Sequence, residues 1–220
     1  MNPVPVITID GPSASGKGTV AQLVAQALGF HCLDSGSLYR LVALAALRAG
    51  VAFDDEARLA ALAASLEASF DTGEVLLSGE PVTEAIRSEA CSSGASQVAA
   101  WPAVRTALLE RQRGFRQAPG LVAEGRDMGS VVFPEAGLKV FLTASAEVRA
   151  QRRHKQLKGK GITATLPVLL QDLHERDARD AARSAAPLKQ CPDAHLLDTT
   201  AMSAAEAAER ILAWYRGAKT

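Results

Sequence analysis

Nine residues near the amino terminus have the types and spacing of a loop that binds phosphate groups. Gly11, Gly16 and Lys17 fit the pattern of a glycine, four further residues, then glycine and lysine, and Thr19 adds a hydroxyl one place later than is usual. Such a loop surrounds an anion with backbone N–H groups, and the lysine adds a positive charge. We therefore expect Gly11–Thr19 to hold the β and γ phosphates of a nucleoside triphosphate, with Thr19 as a hydroxyl for magnesium.

The residues on either side of this loop predict the two elements that it needs. Val6–Ile9 is a short apolar, β-branched run that ends at a turn, which is typical of a buried strand. From Lys17 to Leu28 apolar residues recur every three or four positions, and Gly29 follows, which predicts an amphipathic helix. A strand, a glycine-rich turn and a helix place backbone amides and the positive end of the helix around one point.

Two arginines indicate a second anionic ligand. Arg40 lies in the first turn of a predicted helix that Ser35 or Ser37 can cap. Arg126 follows a predicted strand at residues 121–123, and open α/β sheets bind ligands at the carboxyl ends of their strands. We expect both guanidinium groups to face an anion.

The carboxyl-terminal third contains two further charged groups. Arg176, Asp180 and Arg183 are spaced by four and three residues, which predicts that they share one face of a helix. Residues 149–165 contain six basic side chains and no acidic one, with two glycines after the helical pattern. We predict that this segment is a mobile lid that closes over the triphosphate and excludes water.

The order of predicted elements defines the fold class. Further short strands are predicted at residues 139–142 and 195–197, each followed by a helical pattern, so we expect a doubly wound parallel α/β sheet. Short apolar pieces between turn signals predict a small antiparallel insertion at about residues 69–86. The predicted divisions are a core at 1–34 with the phosphate loop, a lobe at 35–105 with the insertion, core at 106–148, the lid at 149–165 and core at 166–220.

Composition excludes several classes of protein. The chain has 220 residues, 48% hydrophobic, and its 24 basic and 24 acidic side chains give no net attraction to nucleic acid, so no nucleic-acid partner is expected. The sequence contains no long apolar run and no signal-peptide pattern, so no membrane partner is expected either. Three cysteines without CxxC spacing predict neither a disulfide framework nor a zinc site. We expect a soluble, cytoplasmic protein.

Two classes of phosphate-loop protein are disfavoured by missing motifs. A guanine-specific switch protein would read its base with Asn-Lys-x-Asp, and the only asparagine in the chain is Asn2. A transporter-type ATPase would need Leu-Ser-Gly-Gly-Gln, whereas Glu80 and Pro81 interrupt the similar segment that begins at Leu77. The arginines favour an enzyme that transfers a phosphoryl group to a second anionic substrate.

Five segments together resemble the bacterial cytidylate kinase family almost from end to end. They are the phosphate loop ending Gly-Lys-Gly-Thr, Asp34-Ser-Gly-Ser-Leu-Tyr-Arg40, Ala95-Ser-Gln-Val-Ala-Ala100, Gly125-Arg-Asp-Met-Gly129 and Glu175-Arg-Asp-Ala-Arg-Asp180. The resemblance implies a P-loop kinase fold with a monophosphate-binding lobe. It also implies transfer of the γ-phosphoryl group of ATP to CMP or dCMP with Mg²⁺, with UMP a poor substrate, by a monomer.

The resemblance also implies a role for each residue that matches a family motif. The ATP-binding residues would be Gly11, Pro12, Ser13, Ala14, Ser15, Gly16, Lys17, Gly18, Thr19 and Arg149. The residues for the monophosphate substrate would be Ser35, Tyr39, Arg40, Ser96, Arg105, Gly125, Arg126, Asp127, Arg176, Asp180 and Arg183.

Within these sets the resemblance distinguishes several tasks. Arg40, Arg126 and Arg183 would clamp the phosphate, Arg176 and Asp180 would contact the sugar, and Ser96, Arg105 and Asp127 would read the cytosine edge. Lys17, Arg126, Arg153 and Arg183 would be the catalytic set, with Arg149 and Arg153 on the lid helix contacting adenine and the transferred group. Glu124 is a candidate to hold magnesium through water, and Asp10 is another.

Two other functions are compatible with the sequence. The first is a small phosphate-loop kinase that acts on shikimate, gluconate or a different nucleotide, which would lack the acceptor residues Ser96, Arg105 and Asp127. The second is a non-catalytic module that binds nucleotide or RNA through the basic segment, which would bind with a steep salt dependence and transfer no phosphoryl group.

Overall fold

The computed structural model describes residues 3–71, 74–159 and 161–217, and the chain forms two compact units. The core unit comprises Met1–Leu33 and Phe115–Thr220, and the inserted unit comprises Asp34–Gly114. The strands, in chain order, are β1 (Val6–Asp10), β2 (His31–Asp34), β3 (Ala68–Asp71), β4 (Glu74–Leu77), β5 (Glu80–Pro81), β6 (Leu121–Gly125), β7 (Leu138–Thr143) and β8 (His195–Asp198). The α-helices are α1 (Lys17–Leu28), α2 (Ser35–Arg48), α3 (Glu56–Ala64), α4 (Glu89–Val98), α5 (Pro102–Arg113), α6 (Ala146–Lys158), α7 (Leu166–Ala182) and α8 (Ala204–Gly217).

The main sheet has the strand order β2-β6-β1-β7-β8. The central strand β1 pairs in parallel with β6 on one side and β7 on the other, and β7 pairs in parallel with β8. All of β1 is buried, which explains its continuous apolar run. Strands β2 and β6 lie on one side of β1, and the chain then crosses to β7 on the other side. This order confirms the predicted doubly wound α/β sheet, and its reversal point is the carboxyl end of β1.

Helix packing completes the core unit. Helix α1 packs against α8, and Val24 and Ile211 are buried with Ile7 and Val140 of the sheet. Full burial of one such side chain contributes roughly 2 kcal/mol to stability. Helix α1 has the predicted bounds because Gly29 adopts a left-handed φ of 65° and ends it. The long apolar faces therefore fix α1, and with it the loop that precedes it, on the sheet.

The inserted unit is built from two helix pairs and a small sheet. Helix α2 packs on α4 and α3 packs on α5, so the inserted unit continues through α5 past residue 105. Strands β3, β4 and β5 form an antiparallel sheet separate from the main one, as predicted, although Thr72 and Gly73 lie outside the described residues. A Cβ on Gly94 would lie 2.6 Å from the Phe53 ring, so a side chain at this position of α4 would displace that ring.

In the described part of the chain, no helix is both long enough and apolar enough to cross a membrane.

Candidate active site

The backbone of the phosphate loop has the shape that an anion-binding loop requires. A Cβ on Gly11 would lie 1.9 Å from the carbonyl oxygen of Leu142, so no side chain fits there. Ala14 and Gly16 adopt left-handed φ values of 56° and 98°, and α1 begins at the next residue, Lys17. Left-handed residues within a turn direct successive N–H groups to one side, which forms a concave site for phosphate oxygens.

The ammonium group of Lys17 is buried within this loop. Its Nζ donates to the carbonyl oxygen of Pro12 at 2.8 Å and lies 3.5 Å from Ser15 Oγ, and the residue is only 5% exposed. Burial, reinforced by the charge of Arg126, lowers the pKa of Lys17 to about 8. A bound phosphate would oppose both effects and keep the lysine protonated, so this position is suited to an anion.

Three arginines donate hydrogen bonds to the same loop. Arg126 Nη2 bonds to Ser13 Oγ at 2.8 Å, Arg149 Nη1 to the Ser13 carbonyl at 3.2 Å, and Arg152 Nη1 to the Ser15 carbonyl at 2.8 Å. Charge-assisted bonds of this kind are stronger than neutral ones. They hold the loop in one conformation and surround it with positive charge.

Arg126 is oriented by Asp180 of α7. Its Nε donates to Asp180 Oδ2 at 2.8 Å, and Asp180 is buried. Burial alone would lower the pKa of Arg126, but the carboxylates of Asp180, Glu124 and Asp177 raise it above the ordinary value. The structure thus brings the predicted residues Ser13, Arg126 and Asp180 together, with the guanidinium bridging loop and helix.

Arg149 contacts the phosphate loop and is buried. Its Nε donates to the Ala144 carbonyl at 3.1 Å and its Nη1 to Asp177 Oδ2 at 2.6 Å. The residue is 6% exposed, so protein groups enclose most of it, and its contact with adenine stays a prediction. Arg153, the other predicted lid residue, is half-buried and bonds to Gln156 Oε1 at 3.0 Å.

Sequence reasoning missed Arg152. Besides the loop, this guanidinium contacts the segment after β8, with Nη1 3.1 Å from Thr199 Oγ1 and Nη2 2.7 Å from the Thr199 carbonyl. Arg152 thereby connects the phosphate loop to the residues that follow β8. Its spacing of three residues from Arg149, on the same helix face, is the one signal in the sequence that could have identified it.

The Asp10 carboxylate binds backbone amides of the segment that follows β6. Its Oδ1 accepts from the Met128 amide and its Oδ2 from the Gly129 amide, both at 2.8 Å. Each oxygen thus already accepts one hydrogen bond, and the suggestion that Asp10 also holds a magnesium-bound water stays a prediction. Burial raises its pKa to about 6 although the two amide bonds act in the opposite direction.

Thr19 and Glu124 fit a magnesium ion that arrives with ATP. Thr19 is exposed in the first turn of α1, and a Cβ on the adjacent Gly18 would lie 3.4 Å from Glu124 Oε1. Within the described ranges, no group of three or more histidine, cysteine, aspartate or glutamate side chains could hold a metal by itself. Mg²⁺ usually keeps several waters and is bound by one or two protein groups plus substrate phosphates, which matches this sparse set.

Helix α7 ends before Arg183, which the sequence spacing had predicted to share a helix face with Arg176 and Asp180. It ends at Ala182, and Arg183 adopts an extended ψ of 135° as the residue that caps it. The shared helix face therefore applies to Arg176 and Asp180 only. Arg183 is 8% exposed, and Asp127, which follows β6, is 3% exposed.

The inserted unit brings two of the predicted acceptor residues into contact. The guanidinium carbon of Arg105 lies 5.6 Å from the centre of the Tyr39 ring, a cation–π geometry, and its Nη1 donates to the Ala99 carbonyl at 3.2 Å. Arg40 is half-buried on α2 and Ser96 is half-buried on α4.

The amino-terminal cap of α2 is Asp34, not a serine. Its carboxylate accepts from the Ser37 amide at 3.2 Å and from Ser37 Oγ at 2.7 Å. The helix begins at Ser35, one residue after the cap, so Ser35 and Ser37 are both helical and buried. The prediction that Ser35 or Ser37 caps the helix is therefore wrong.

The doubly wound sheet and the phosphate loop with its buried lysine define a phosphate-loop nucleotide-binding protein. Two solved structures share this fold: an uncharacterised protein from Eubacterium ventriosum, with TM-score 0.56, 11% identity and coverage of 97% and 99% of the two chains, and a gluconokinase from Sinorhizobium meliloti, with TM-score 0.51, 18% identity and coverage of 98% and 94%.

Sequence comparison resolves the family. The family model for cytidylate kinase matches residues 7–217. A cytidylate kinase of Chromobacterium violaceum is 63% identical over 212 residues, 96% of each chain, and one of Burkholderia cenocepacia is 60% identical over 215 residues, 98% of this chain and 94% of the relative. The chain belongs to the cytidylate kinase family. It is thus a nucleoside monophosphate kinase, and the family implies ATP-dependent phosphorylation of CMP or dCMP.

Proposed function

We propose that this enzyme transfers the γ-phosphoryl group of ATP to CMP and dCMP, yielding ADP and the corresponding diphosphate. The observation that carries the proposal is the phosphate loop itself, in which Lys17 is buried and Arg126 reaches Ser13 while paired with Asp180. A loop with this much positive charge is suited to polyanions, and the family match supplies the class of acceptor.

The reaction needs charge stabilisation more than proton transfer. A phosphate oxygen of CMP is already anionic near neutral pH, so it forms the new P–O bond without a general base. The bond from the γ phosphorus to the β–γ bridging oxygen breaks, and ADP leaves. Lys17 and Arg126 offset the repulsion between the two polyanions and stabilise the charge on the transferring group. Magnesium, when bound, would neutralise the β and γ oxygens, held by the Thr19 hydroxyl and, through water, by Glu124.

We propose that the acceptor is contacted by the residues that match the family motifs. The clamp on the phosphate would be Arg40, Arg126 and Arg183, the sugar contacts Arg176 and Asp180, the groups that read the cytosine edge Ser96, Arg105 and Asp127, and the adjoining residues Ser35, Tyr39 and Gly125. A polar pocket rejects a base whose donors and acceptors leave buried groups unpaired, so UMP should be a poor substrate. We also propose that the enzyme works as a monomer in the cytoplasm.

The acceptor is best identified by measuring ADP release with ATP and Mg²⁺ while CMP, dCMP, UMP, AMP, GMP and shikimate are offered at matched concentrations. We expect rapid release with CMP and dCMP, and at least about tenfold slower release with UMP, since one mispaired polar contact in the pocket costs at least about 1.4 kcal/mol. Rapid release with another acceptor would indicate a different kinase. Tight ATP binding without release for any acceptor would favour the non-catalytic alternative.

Residues 149–165 are proposed to form a lid over ATP, with Arg153 reaching the transferred group; Lys160 lies outside the described residues. Two neighbouring arginines allow this to be tested. Arg153→Ala should lower kcat with CMP about tenfold without lowering Tm, because it removes a transition-state contact. Arg152→Ala should instead raise the KM for ATP about tenfold and lower Tm, because the Ser15 and Thr199 carbonyls lose their donor. Unchanged turnover by Arg153→Ala would reject the lid.

A further inference from the structure

We propose that Asp10 is a positioning residue for the acceptor-binding segment. Its carboxylate fixes the backbone at Met128 and Gly129, and so sets the direction in which Arg126 and Asp127 project. The inference rests on the proposed function, because it assigns those two side chains to the acceptor.

The geometry of Asp10 is that of a two-pronged backbone clamp. Both carboxylate oxygens accept amide hydrogen bonds of 2.8 Å, and the residue is 6% exposed. Asp10 is the last residue of β1 and directly precedes Gly11, while its partner in the neighbouring strand is Gly125, the last residue of β6. One side chain therefore connects the start of the phosphate loop to the segment that begins with Arg126.

A carboxylate suits both amides in this arrangement. The two N–H groups bond to different oxygens of Asp10, and an asparagine in the same position would place its NH₂ group against one of them. A buried amide without an acceptor costs roughly 1–3 kcal/mol. Asp10 is kept at this site although burial disfavours its charge and Asp127 lies close enough to repel it, with Lys17 as the nearby cation. The use of both oxygens as acceptors explains why an acid suits this position.

Thr8 supplies a matched control on the same strand. Its side chain is buried two residues before Asp10, and its Oγ1 lies 2.8 Å from the position of a Cβ on Gly129. Among the described residues its hydroxyl has no hydrogen-bond partner. Thr8→Val therefore alters packing against the same segment, at constant volume, without removing a hydrogen bond.

The test compares Asp10→Asn with Thr8→Val in steady-state kinetics. Asp10→Asn should raise the KM for CMP at least about tenfold, because an orphaned amide lets the segment shift, while the KM for ATP changes less than about threefold. Thr8→Val should stay within about twofold of wild type for both substrates. The proposal would be overturned if Asp10→Asn raised the KM for ATP as much as the KM for CMP. It would also be overturned if Thr8→Val raised the KM for CMP as much as Asp10→Asn does, because either result would show a general folding role.

A second measurement on the wild-type protein covers the case in which Asp10→Asn does not fold. Amide hydrogen exchange at Met128 and Gly129 should be slow, as expected for buried amides bonded to a carboxylate. Exchange at the rate of an open loop would overturn the clamp. If the wild-type enzyme does not phosphorylate CMP at all, the proposed function fails, and the exchange result still decides whether the clamp exists.

Discussion

Lys17→Met should nearly abolish phosphoryl transfer while making the unliganded protein more stable. We expect kcat/KM for CMP to fall about 10³-fold, since a buried positive charge directed at the transferring group is lost. The pKa of Lys17 falls from 10.5 to about 8 on folding, which corresponds to a cost of about 3 kcal/mol at neutral pH. Loss of the bond to Pro12 offsets part of that gain, so Tm should rise by about 3 °C.

The same substitution predicts a difference in pH dependence. Between pH 8 and 10.5 the unfolded chain keeps the Lys17 proton that the folded chain releases, so wild-type stability should gain with pH in this window relative to Lys17→Met. Thermal unfolding of both proteins at pH 7, 8, 9 and 10 measures this difference in stability. Lys189→Met, at an exposed lysine, is the control and should change neither activity nor Tm. If the Tm of wild type and of Lys17→Met changed with pH in parallel, the assignment of a buried lysine with a lowered pKa would be contradicted.

Arg126→Lys should lower kcat/KM for CMP about 10²-fold although it preserves the charge. A guanidinium donates to Asp180 and Ser13 at once through separate nitrogens, both at 2.8 Å, whereas one ammonium cannot reproduce that fork. Loss of one charge-assisted bond accounts for about 1.5–3 kcal/mol, and misdirection of the remaining charge affects the transition state further. Lysine is preferable to alanine because alanine would leave the buried Asp180 carboxylate uncompensated.

The control for Arg126→Lys is Arg116→Lys. Arg116 is also partly buried in the core unit and uses two nitrogens, with Nε bonded to the Val4 carbonyl at 2.9 Å and Nη1 to Glu135 at 2.6 Å. Its replacement should leave CMP turnover within about twofold of wild type. Steady-state ADP release and Tm, measured on both variants, show whether the loss of activity is specific to Arg126. Wild-type rates for Arg126→Lys would remove Arg126 from the catalytic set.

Local sequence patterns predicted the parts of the molecule that local physics determines. The bounds of α1 followed from apolar spacing and a terminal glycine, and the phosphate loop followed from glycines whose backbone positions exclude side chains, as at Gly11. The parallel sheet followed from the alternation of short apolar runs with helical patterns. Where the chain determines structure over a few residues, the sequence was sufficient.

Contacts between distant residues account for what sequence reasoning missed. The partners of Asp10 lie 118 and 119 residues away, so no local pattern distinguishes a backbone clamp from a metal ligand. Arg152 bonds to Ser15, 137 residues away, and looks in sequence like one of several basic lid residues. The α2 cap was misassigned for a different reason, since aspartate and serine are similarly good caps and only the position of the first helical turn decides between them.

Two of the three arginines that bond to the phosphate loop lie on α6, at the start of the proposed lid, and would limit its movement. Arg149 and Arg152 fasten the amino-terminal half of α6 to the loop, and Arg149 is further tied to Asp177. A closing motion that moved this half would have to break the hydrogen bonds from these arginines to the carbonyls of the phosphate loop. We therefore expect that, if residues 149–165 close as proposed, the movement occurs beyond Arg152 and leaves the phosphate loop in its present shape.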